Sequence, residues 1–259
     1  MREVFDKIGE DERITRAKDM SEKVLEHFIH LAALHENNGI VVFSPTLASQ
    51  IPRSYAANAF HVFQHAMYDF ELIRLCALWD CPGNESDEVE SIPTVIELID
   101  HPRIIDALTE ETRAAYADRP SHNLNPSADP ELRALEEQTF ARVQTQFAEE
   151  QALKARRELT KTIANARTIL KSSRLAVLRN HRDKYLVHSL SSTRREKKTG
   201  PISPMKYGRE TDLLAASIPI IEKLYCWVNG CSFHIEHSQE TARRHAGALW
   251  NGCTFKVER

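Results

Sequence analysis

The sequence predicts an all-α protein, and three observations support this fold class. Glycine is scarce, with 8 residues in a chain of 259. Apolar residues recur at spacings of three and four rather than two, which is the period of an amphipathic helix. From Glu131 to Thr199 the chain contains neither glycine nor proline. We therefore expect residues 1–259 to form one domain, a helical bundle with long helices.

The first half of the chain is divided into four predicted helices. The first carries an apolar stripe at helical spacing, formed by Met20, Val24, Phe28 and Leu31. It should end at Asn37-Asn38-Gly39, because these residues tolerate the left-handed conformation that closes helices. The other three are predicted at about 54–80, 92–100 and 103–117, with an acidic loop at 84–90. The second helix has an apolar face that we interpret as core rather than as a base-stacking platform, comprising Phe60, Phe63, Met67 and Phe70.

The second half begins with a predicted loop at 118–130, which is rich in Pro, Asn and Ser. Helix is then expected over most of 131–199. Because a single straight helix of that length is rare, we predict a bend or break in the polar stretch 148–161 or near Ser172-Ser173.

Two further helices complete the prediction. A loop at 200–208 precedes a helix over about 212–228, which contains Pro219 and can kink there. The last helix is predicted over 239–250, and Ser238 is expected to cap its first turn.

Positive charge is concentrated in one segment of an otherwise acidic chain. The formal net charge is -3, so the global basic field typical of many nucleic-acid-binding proteins is absent. Between Lys171 and Arg209, however, eleven Lys and Arg residues accompany only two acidic residues, a local net charge of +9. This segment is where we expect a polyanion to bind.

Composition argues against membrane and secreted classes. We expect no signal peptide, because the first thirty residues carry acidic and basic residues throughout, and no membrane span, because the longest apolar stretch, LIRLCALW (72–79), is far shorter than the roughly 20 residues of a membrane helix. Five cysteines, an odd number, indicate reduced thiols in the cytoplasm. One alternative is a zinc site of four thiolates, since each of two pairs has four intervening residues: Cys76 with Cys81, and Cys226 with Cys231. Both pairs adjoin apolar helical sequence, which favours core cysteines, and we expect no metal and no cofactor.

An arginine interrupts the apolar pattern late in the long helical stretch. Leu175 and Leu178 lead to Arg182, which stands where an apolar residue is expected and needs a partner or a purpose. His188 follows six residues later, about 120° around and roughly 9 Å along an ideal helix. The two side chains can share a cleft only if the helix ends or bends between them, or if a second subunit supplies the opposite wall. The structural alternative is an interior arginine tied to a carboxylate such as Glu71, with a histidine at a helix C-terminus.

The segment RDKYLVH (182–188) fits the R-x(4–6)-H motif of the HEPN superfamily, the higher eukaryote and prokaryote nucleotide-binding domains. The wider sequence resembles the abortive-infection U-type branch of that superfamily in four segments: FSPTLASQIPRSYAANAFHVFQHAMYDFELIRLCALWD (43–80), LRNHRDKYLVHSLSSTRREK (178–197), PMKYG (204–208) and ASIPIIEKLYCWVNGCSF (216–233). The resemblance implies an HEPN-type helical bundle with extra N- and C-terminal helices. It also implies metal-independent RNA cleavage, in phage defence or as a toxin.

By this resemblance Arg182 and His188 are the catalytic pair, and Asp183 occupies the polar position that follows the family arginine. The chemistry suits these residue types, because histidine titrates near neutrality and arginine stabilises charge on a phosphorane. One histidine can hardly perform both proton transfers of RNA cleavage at once. We therefore expect a homodimer that faces two motifs across one cleft.

RNA is the expected partner, and basic residues around the motif are expected to hold its backbone. These are Arg179, Lys184, Arg194, Arg195, Lys197 and Lys198. The alternative for the last four is a solvated charged loop. A cognate antitoxin is not identified by the sequence. Toxins modified by a partner nucleotidyltransferase carry a tyrosine two residues after the motif histidine, where this chain has Leu190.

Two other functions remain open. A catalytically inactive HEPN module that binds RNA, a nucleotide or a protein partner would share the dimer and the basic cleft. It would not need an accessible His188 within reach of the same phosphate as Arg182. A metal enzyme is the third hypothesis, because His61, His65 and Asp69 lie on one helical face, and it requires a further ligand from another helix.

Overall fold

The computed structural model describes residues 8–82, 89–118 and 127–257. Within these ranges there are ten α-helices, one π-helical turn and no strand, which confirms the all-α prediction. In chain order the helices are α1 (Glu10–Val41), α2 (Pro45–Ala48), α3 (Tyr55–Leu78), α4 (Ile92–Ile99), α5 (Pro102–Ala117), α6 (Pro130–Leu170), α7 (Ser173–His181), α8 (Arg194–Thr199), α9 (Arg209–Asn229) and α10 (Ile235–Trp250). Most of the predicted loops at 84–90 and 118–130 lie outside the described residues.

Helix α1 is the central element of the bundle. It packs against α3, α4, α9 and α10, so the first and last helices are in contact. The predicted stripe faces this core, and Phe28 and Leu31 are fully buried. At its first turn, Arg13 Nε donates to the carbonyl oxygen of Leu98 at 2.9 Å, which satisfies a group at the C-terminus of α4. None of the helices in the described ranges combines the length and the hydropathy that crossing a bilayer requires.

Helix α1 continues through its predicted stop at Asn37-Asn38-Gly39 and ends at Val41. The reason is tertiary. The fully buried Asn38 amide donates to Glu71 Oε2 at 2.5 Å and to the carbonyl oxygen of Met67 at 3.2 Å. Glu71 is also 2.7 Å from His35 Nδ1, so a buried polar cluster joins α1 to α3. These contacts override a local stop signal.

The predicted core face of α3 is wrong for Phe63 and Phe70, which are 41% and 46% exposed. The buried side of this helix lies in its C-terminal half and comprises Tyr68, Glu71, Leu72, Leu75, Cys76 and Leu78. Apolar spacing identifies one face of a helix, but it does not say which part of that face meets another element.

The long helical stretch breaks first near Ser172, which is one of the two predicted positions, and again after the π-helical turn, since residues 187–193 are not helical. Helix α6 runs unbroken through 148–161 and ends at Leu170. Ser172 then caps α7, accepting a hydrogen bond from the backbone N–H of Leu175 at 3.3 Å.

The predicted start of the last helix is wrong. Helix α10 begins at Ile235 rather than behind Ser238. The carboxylate of Glu222, on α9, accepts the backbone N–H of Ile235 at 2.8 Å. A side chain distant in sequence thus satisfies a donor at this helix end, which a search for a local cap does not find.

The cysteines do not form the alternative zinc site. All five are free thiols; Cys76 is buried, whereas Cys81 and Cys231 are exposed. In the described part of the chain, no three His, Cys, Asp or Glu side chains are arranged to hold a metal ion. Burial raises the pKa of the Cys76 thiol to about 12, so it behaves as a core residue.

Two histidines of α1 should give opposite pH dependences of stability. The hydrogen bond with Glu71 outweighs burial and raises the pKa of His35, whereas burial, together with the charge of Arg74, lowers the pKa of His27 to about 4. The contribution of His35 to the free energy of unfolding is therefore complete below about pH 6.5, and it is lost as the pH rises through the raised pKa of His35. The His27 contribution is present above about pH 6.5 and is lost as pH falls toward 4.

Urea unfolding across this pH range tests both signs. Relative to wild type, His35→Gln should remove a decline in the free energy of unfolding on the alkaline side. His27→Gln should remove a decline on the acid side. Three parallel profiles would contradict the assignment.

Candidate functional site

The motif segment lies where an α-helix widens and ends. Helix α7 stops at His181, and residues Arg182–Leu186 form a π-helical turn in which the N–H of Val187 donates to the carbonyl oxygen of Arg182 at 3.0 Å. The chain then leaves the helix, so His188 is not placed by regular α-helical spacing. Single π-turns inside or at the end of helices often occur at functional sites.

Arg182 is held between two carboxylates. Its Nη1 donates to both oxygens of Asp80, at 2.7 and 2.8 Å, and its Nε donates to Asp183 Oδ1 at 2.9 Å. Burial of the guanidinium opposes its charge, but these acceptors outweigh burial and raise the pKa of Arg182 above its usual value. Asp80 follows the end of α3, so the pair ties the motif to that helix. The carboxylate suggested by the sequence, Glu71, instead binds His35 and Asn38.

His188 lies at an open cleft of about 690 Å³. The cleft is lined by Asp183, His188, Leu190, Thr193, Arg194, Arg195, Lys198 and Thr199. The His188 side chain is exposed, and within the described residues it makes no hydrogen bond. Asp183 both lines the cleft and binds Arg182, which is not itself among the lining residues.

The basic residues after the motif form a helix rather than a loop. Thr193 caps α8 by accepting the N–H of Glu196, and the Glu196 carboxylate accepts the N–H of Thr193 in return. Arg194, Lys197 and Lys198 are exposed on this helix, and none forms an ion pair in the part of the chain that the structure describes. Arg195 is half-buried, and its Nε has no hydrogen-bond partner there.

A polar network holds α8 against the motif. Glu196 Oε1 accepts from Asn180 Nδ2 at 3.1 Å and from Lys184 Nζ at 3.2 Å. Asn180 in turn accepts a hydrogen bond from the hydroxyl of Thr193. The N–H of Thr193, the Asn180 amide and the Lys184 ammonium together lower the pKa of Glu196. The basic helix is thereby fixed beside the cleft.

Two of the predicted RNA-binding residues make intramolecular contacts. Arg179 donates to the carbonyl oxygen of Trp79 and lies 3.7 Å from the sulfur of Cys81. Lys184 is bound to Glu196 and is mostly buried. Their charges contribute to the local potential, but each uses at least one donor within the fold; the buried Nε of Arg179 has no hydrogen-bond partner among the described residues. The exposed cations at the cleft belong to α8.

Sequence reasoning missed the carboxylate that binds Arg182. Asp80 ends the apolar run LIRLCALWD, and a charged residue directly after a buried helical turn was a signal available in the sequence. It also missed Glu196 as the anchor of α8, although the Thr-x-x-Glu pattern of a capping box is visible there.

The histidines of α3 do not line this cleft, and they pair with each other. His61 Nε2 is 3.1 Å from His65 Nε2, and both side chains are exposed. No third ligand joins them and Asp69 from another helix within the described ranges. The ligand that the metal-enzyme hypothesis requires is therefore not found there.

Comparison with known proteins identifies the family. A search of curated proteins and a search of solved structures give no match. The HEPN family model described as AbiU2 matches residues 14–249, which include every helix from α2 to α9 and the motif turn. Since this match covers most of the sequence, the chain belongs to the AbiU2 family of HEPN proteins.

Proposed function

We propose that this protein is a metal-independent endoribonuclease whose active site contains Arg182, Asp183 and His188. The observation that carries the proposal is an exposed His188, without a hydrogen-bond partner in the part of the chain that the structure describes, in an open cleft that is also lined by the carboxylate that binds Arg182. Membership of the HEPN superfamily, whose domains often act on RNA, supports the same chemistry. A role in abortive infection follows from the family and not from the residues.

The proposed reaction uses the hydroxyl group of the substrate itself. The RNA 2'-oxygen attacks the adjacent phosphorus, the bond from phosphorus to the 5'-oxygen breaks, and a 2',3'-cyclic phosphate forms. One group removes the 2'-proton and another protonates the leaving 5'-oxygen, for which neutral and protonated histidine are suited. Each chain supplies one histidine to the cleft, so the second is proposed to come from a second copy related by two-fold symmetry.

Arg182 is proposed to stabilise the phosphorane after an exchange of partners. In the free protein its Nε and Nη2 bind Asp183, while Nη1 binds Asp80. A phosphate can accept the same two N–H groups that Asp183 occupies, since arginine binds carboxylate and phosphate in the same bidentate geometry. The two carboxylates are about equally exposed, but Asp183 lines the cleft and Asp80 does not, which makes Asp183 the partner to be displaced.

An inactive binding module is the second candidate, and one observation favours it. Both edges of the Arg182 guanidinium are occupied by carboxylates, as in an ion pair that serves only stability. In that case RNA, a nucleotide or a protein partner would bind near α8 without reaction. Control through nucleotidyl transfer to a tyrosine is not proposed, because Leu190 has no hydroxyl group to accept it.

The first of two predictions from this proposal separates these candidates by activity. Purified protein should cut single-stranded RNA in EDTA, leave 2',3'-cyclic phosphate ends and spare DNA, which lacks the attacking hydroxyl. His188→Ala should lower the rate about a hundredfold or more through loss of a proton-transfer group. Arg182→Ala should cost a similar factor through lost charge stabilisation. Rates are measured by gel analysis of labelled RNA.

Controls distinguish chemistry from folding in this experiment. His237→Ala removes an exposed histidine of α10 and should cut at the wild-type rate. Arg182→Lys keeps a cation beside Asp80 but loses the bidentate geometry, so it should fold normally and remain slow. Sedimentation should show the same oligomeric state for all variants. An inactive wild type on a broad RNA panel, or wild-type rates for both alanine variants, would refute the catalytic assignment.

The second prediction concerns the RNA path. Helix α8 carries four basic residues: Arg194, Arg195, Lys197 and Lys198. Changing all four to glutamine should weaken RNA binding and flatten the salt dependence of that binding. Each lost contact with a single-strand phosphate should reduce the log-log slope by about 0.7. A matched control neutralises four exposed basic residues elsewhere: Arg53, Arg142, Arg157 and Lys161. Equal slopes for the two quadruple variants would place the RNA away from α8.

A further inference from the structure

A second, aromatic groove adjoins the motif turn. It consists of two neighbouring cavities of about 390 and 310 Å³, which share His65, Tyr68 and Tyr207 as lining residues. His181 and Tyr185, from the end of α7 and the motif turn, line one end of the groove. Asp183 and His188, in contrast, line the candidate catalytic cleft. The two clefts are therefore built on the same short segment.

Three aromatic rings of this region are exposed although they stand around a concave surface. Tyr207 is 65%, Tyr185 63% and Phe43 42% exposed. Phe43 lies 6.0 Å and Tyr68 4.9 Å from Tyr207, centroid to centroid. Exposed rings grouped in a groove indicate a ligand, because burying them against one is favourable. A flat, unsaturated ligand gains most, since it can stack on them.

The groove is held in place before any ligand binds. The hydroxyl of buried Tyr68 donates to Glu210 Oε2 at 3.1 Å, and the N–H of Gly208 donates to Glu210 Oε1 at 2.9 Å. Gly208 has a φ of +90°, a conformation that other residues rarely adopt, and it directly follows Tyr207. The turn that carries Tyr207 is thus fixed to the floor of the groove, which lowers the entropy cost of binding.

Polar groups along α3 can read the edge of a planar ligand. Gln64 donates its amide to the carbonyl oxygen of Val41 at 2.7 Å, and its amide oxygen has no partner in the described residues. His61 and His65 add ring nitrogens that donate or accept. Among the described residues that line the groove, one is acidic, Asp69. Donors and acceptors beside stacking rings match a nucleobase rather than an aliphatic ligand.

We propose that this groove binds an unpaired base of the RNA substrate, stacked on Tyr207, next to the nucleotide whose phosphate enters the His188 cleft. The proposal rests on the ribonuclease function and adds a base-recognition site to it. Tyr207 is a binding residue, and Gln64 and His65 contribute selectivity among bases.

The test measures RNA binding separately from cleavage. In a His188→Ala background, Tyr207→Leu should weaken binding of a short single-stranded RNA about fivefold to a hundredfold, the range for one base stacked on an aromatic ring. Tyr207→Phe keeps the ring and should bind like the parent. Tyr55→Leu, which removes a 93% exposed tyrosine of α3 outside the groove, is the matched control and should also bind like the parent.

A double-mutant cycle identifies the base. RNAs with one abasic position are compared on the parent and on Tyr207→Leu; at the stacked position the two losses should not add, because each removes the same contact. If Tyr207→Leu binds the RNA as tightly as the parent does, the proposal that the groove binds a base is wrong, while the cleavage proposal is unaffected. A changed oligomeric state of Tyr207→Leu would also overturn it, by showing that a second copy covers the groove. If the wild type neither binds nor cuts RNA, the ribonuclease proposal itself fails, and this one fails with it.

Discussion

The ion pair between Arg182 and Asp80 is the contact on which the geometry of this site depends. It joins residues 102 positions apart and fixes the π-turn of the motif to the end of α3. Because the turn is held there, Asp183 reaches the cleft and His188 leaves the helix into solvent. On a continuous α-helix the arginine and the histidine would diverge. The core fixes the backbone beside this contact. Trp79, which precedes Asp80, is fully buried, and its Nε1 donates to the hydroxyl of Ser217 at 3.0 Å.

The basic helix α8 depends on a second polar anchor, Glu196. This carboxylate serves as capping residue, as acceptor for Asn180 and as partner of Lys184. Its charge neutralises one lysine and fixes the helix that places two exposed cations, Arg194 and Lys198, at the cleft. The segment with a local charge of +9 is therefore not a uniform basic surface. Part of its charge is used within the fold, and α8 presents Arg194, Lys197 and Lys198 to solvent.

The helices and the motif could be predicted from the sequence because both depend on the spacing of residues that are close together in the chain. The apolar stripe of α1 and the break at Ser172 follow from patterns within a few turns. Prediction failed where a distant partner decides the outcome: Asn38 extends α1 through Glu71, and Glu222 starts α10. The core prediction was wrong for the exposed Phe63 and Phe70 for a related reason. Apolar spacing identifies a helix face, but it does not show whether another element packs against that face. The same limit hid Asp80 as the partner of Arg182.

The central claim is that a substrate phosphate replaces Asp183 on Arg182 while Asp80 remains bound. A crystal structure with an RNA that carries a 2'-O-methyl group at the cleavage position tests it directly, because this group blocks the attacking oxygen. The account predicts phosphate oxygens at the Nε and Nη2 groups of Arg182, Asp183 displaced, the Asp80 pair retained and a His188 side chain beside the 2'-oxygen. An RNA bound with both carboxylates still on Arg182, and no histidine near the blocked oxygen, would contradict it.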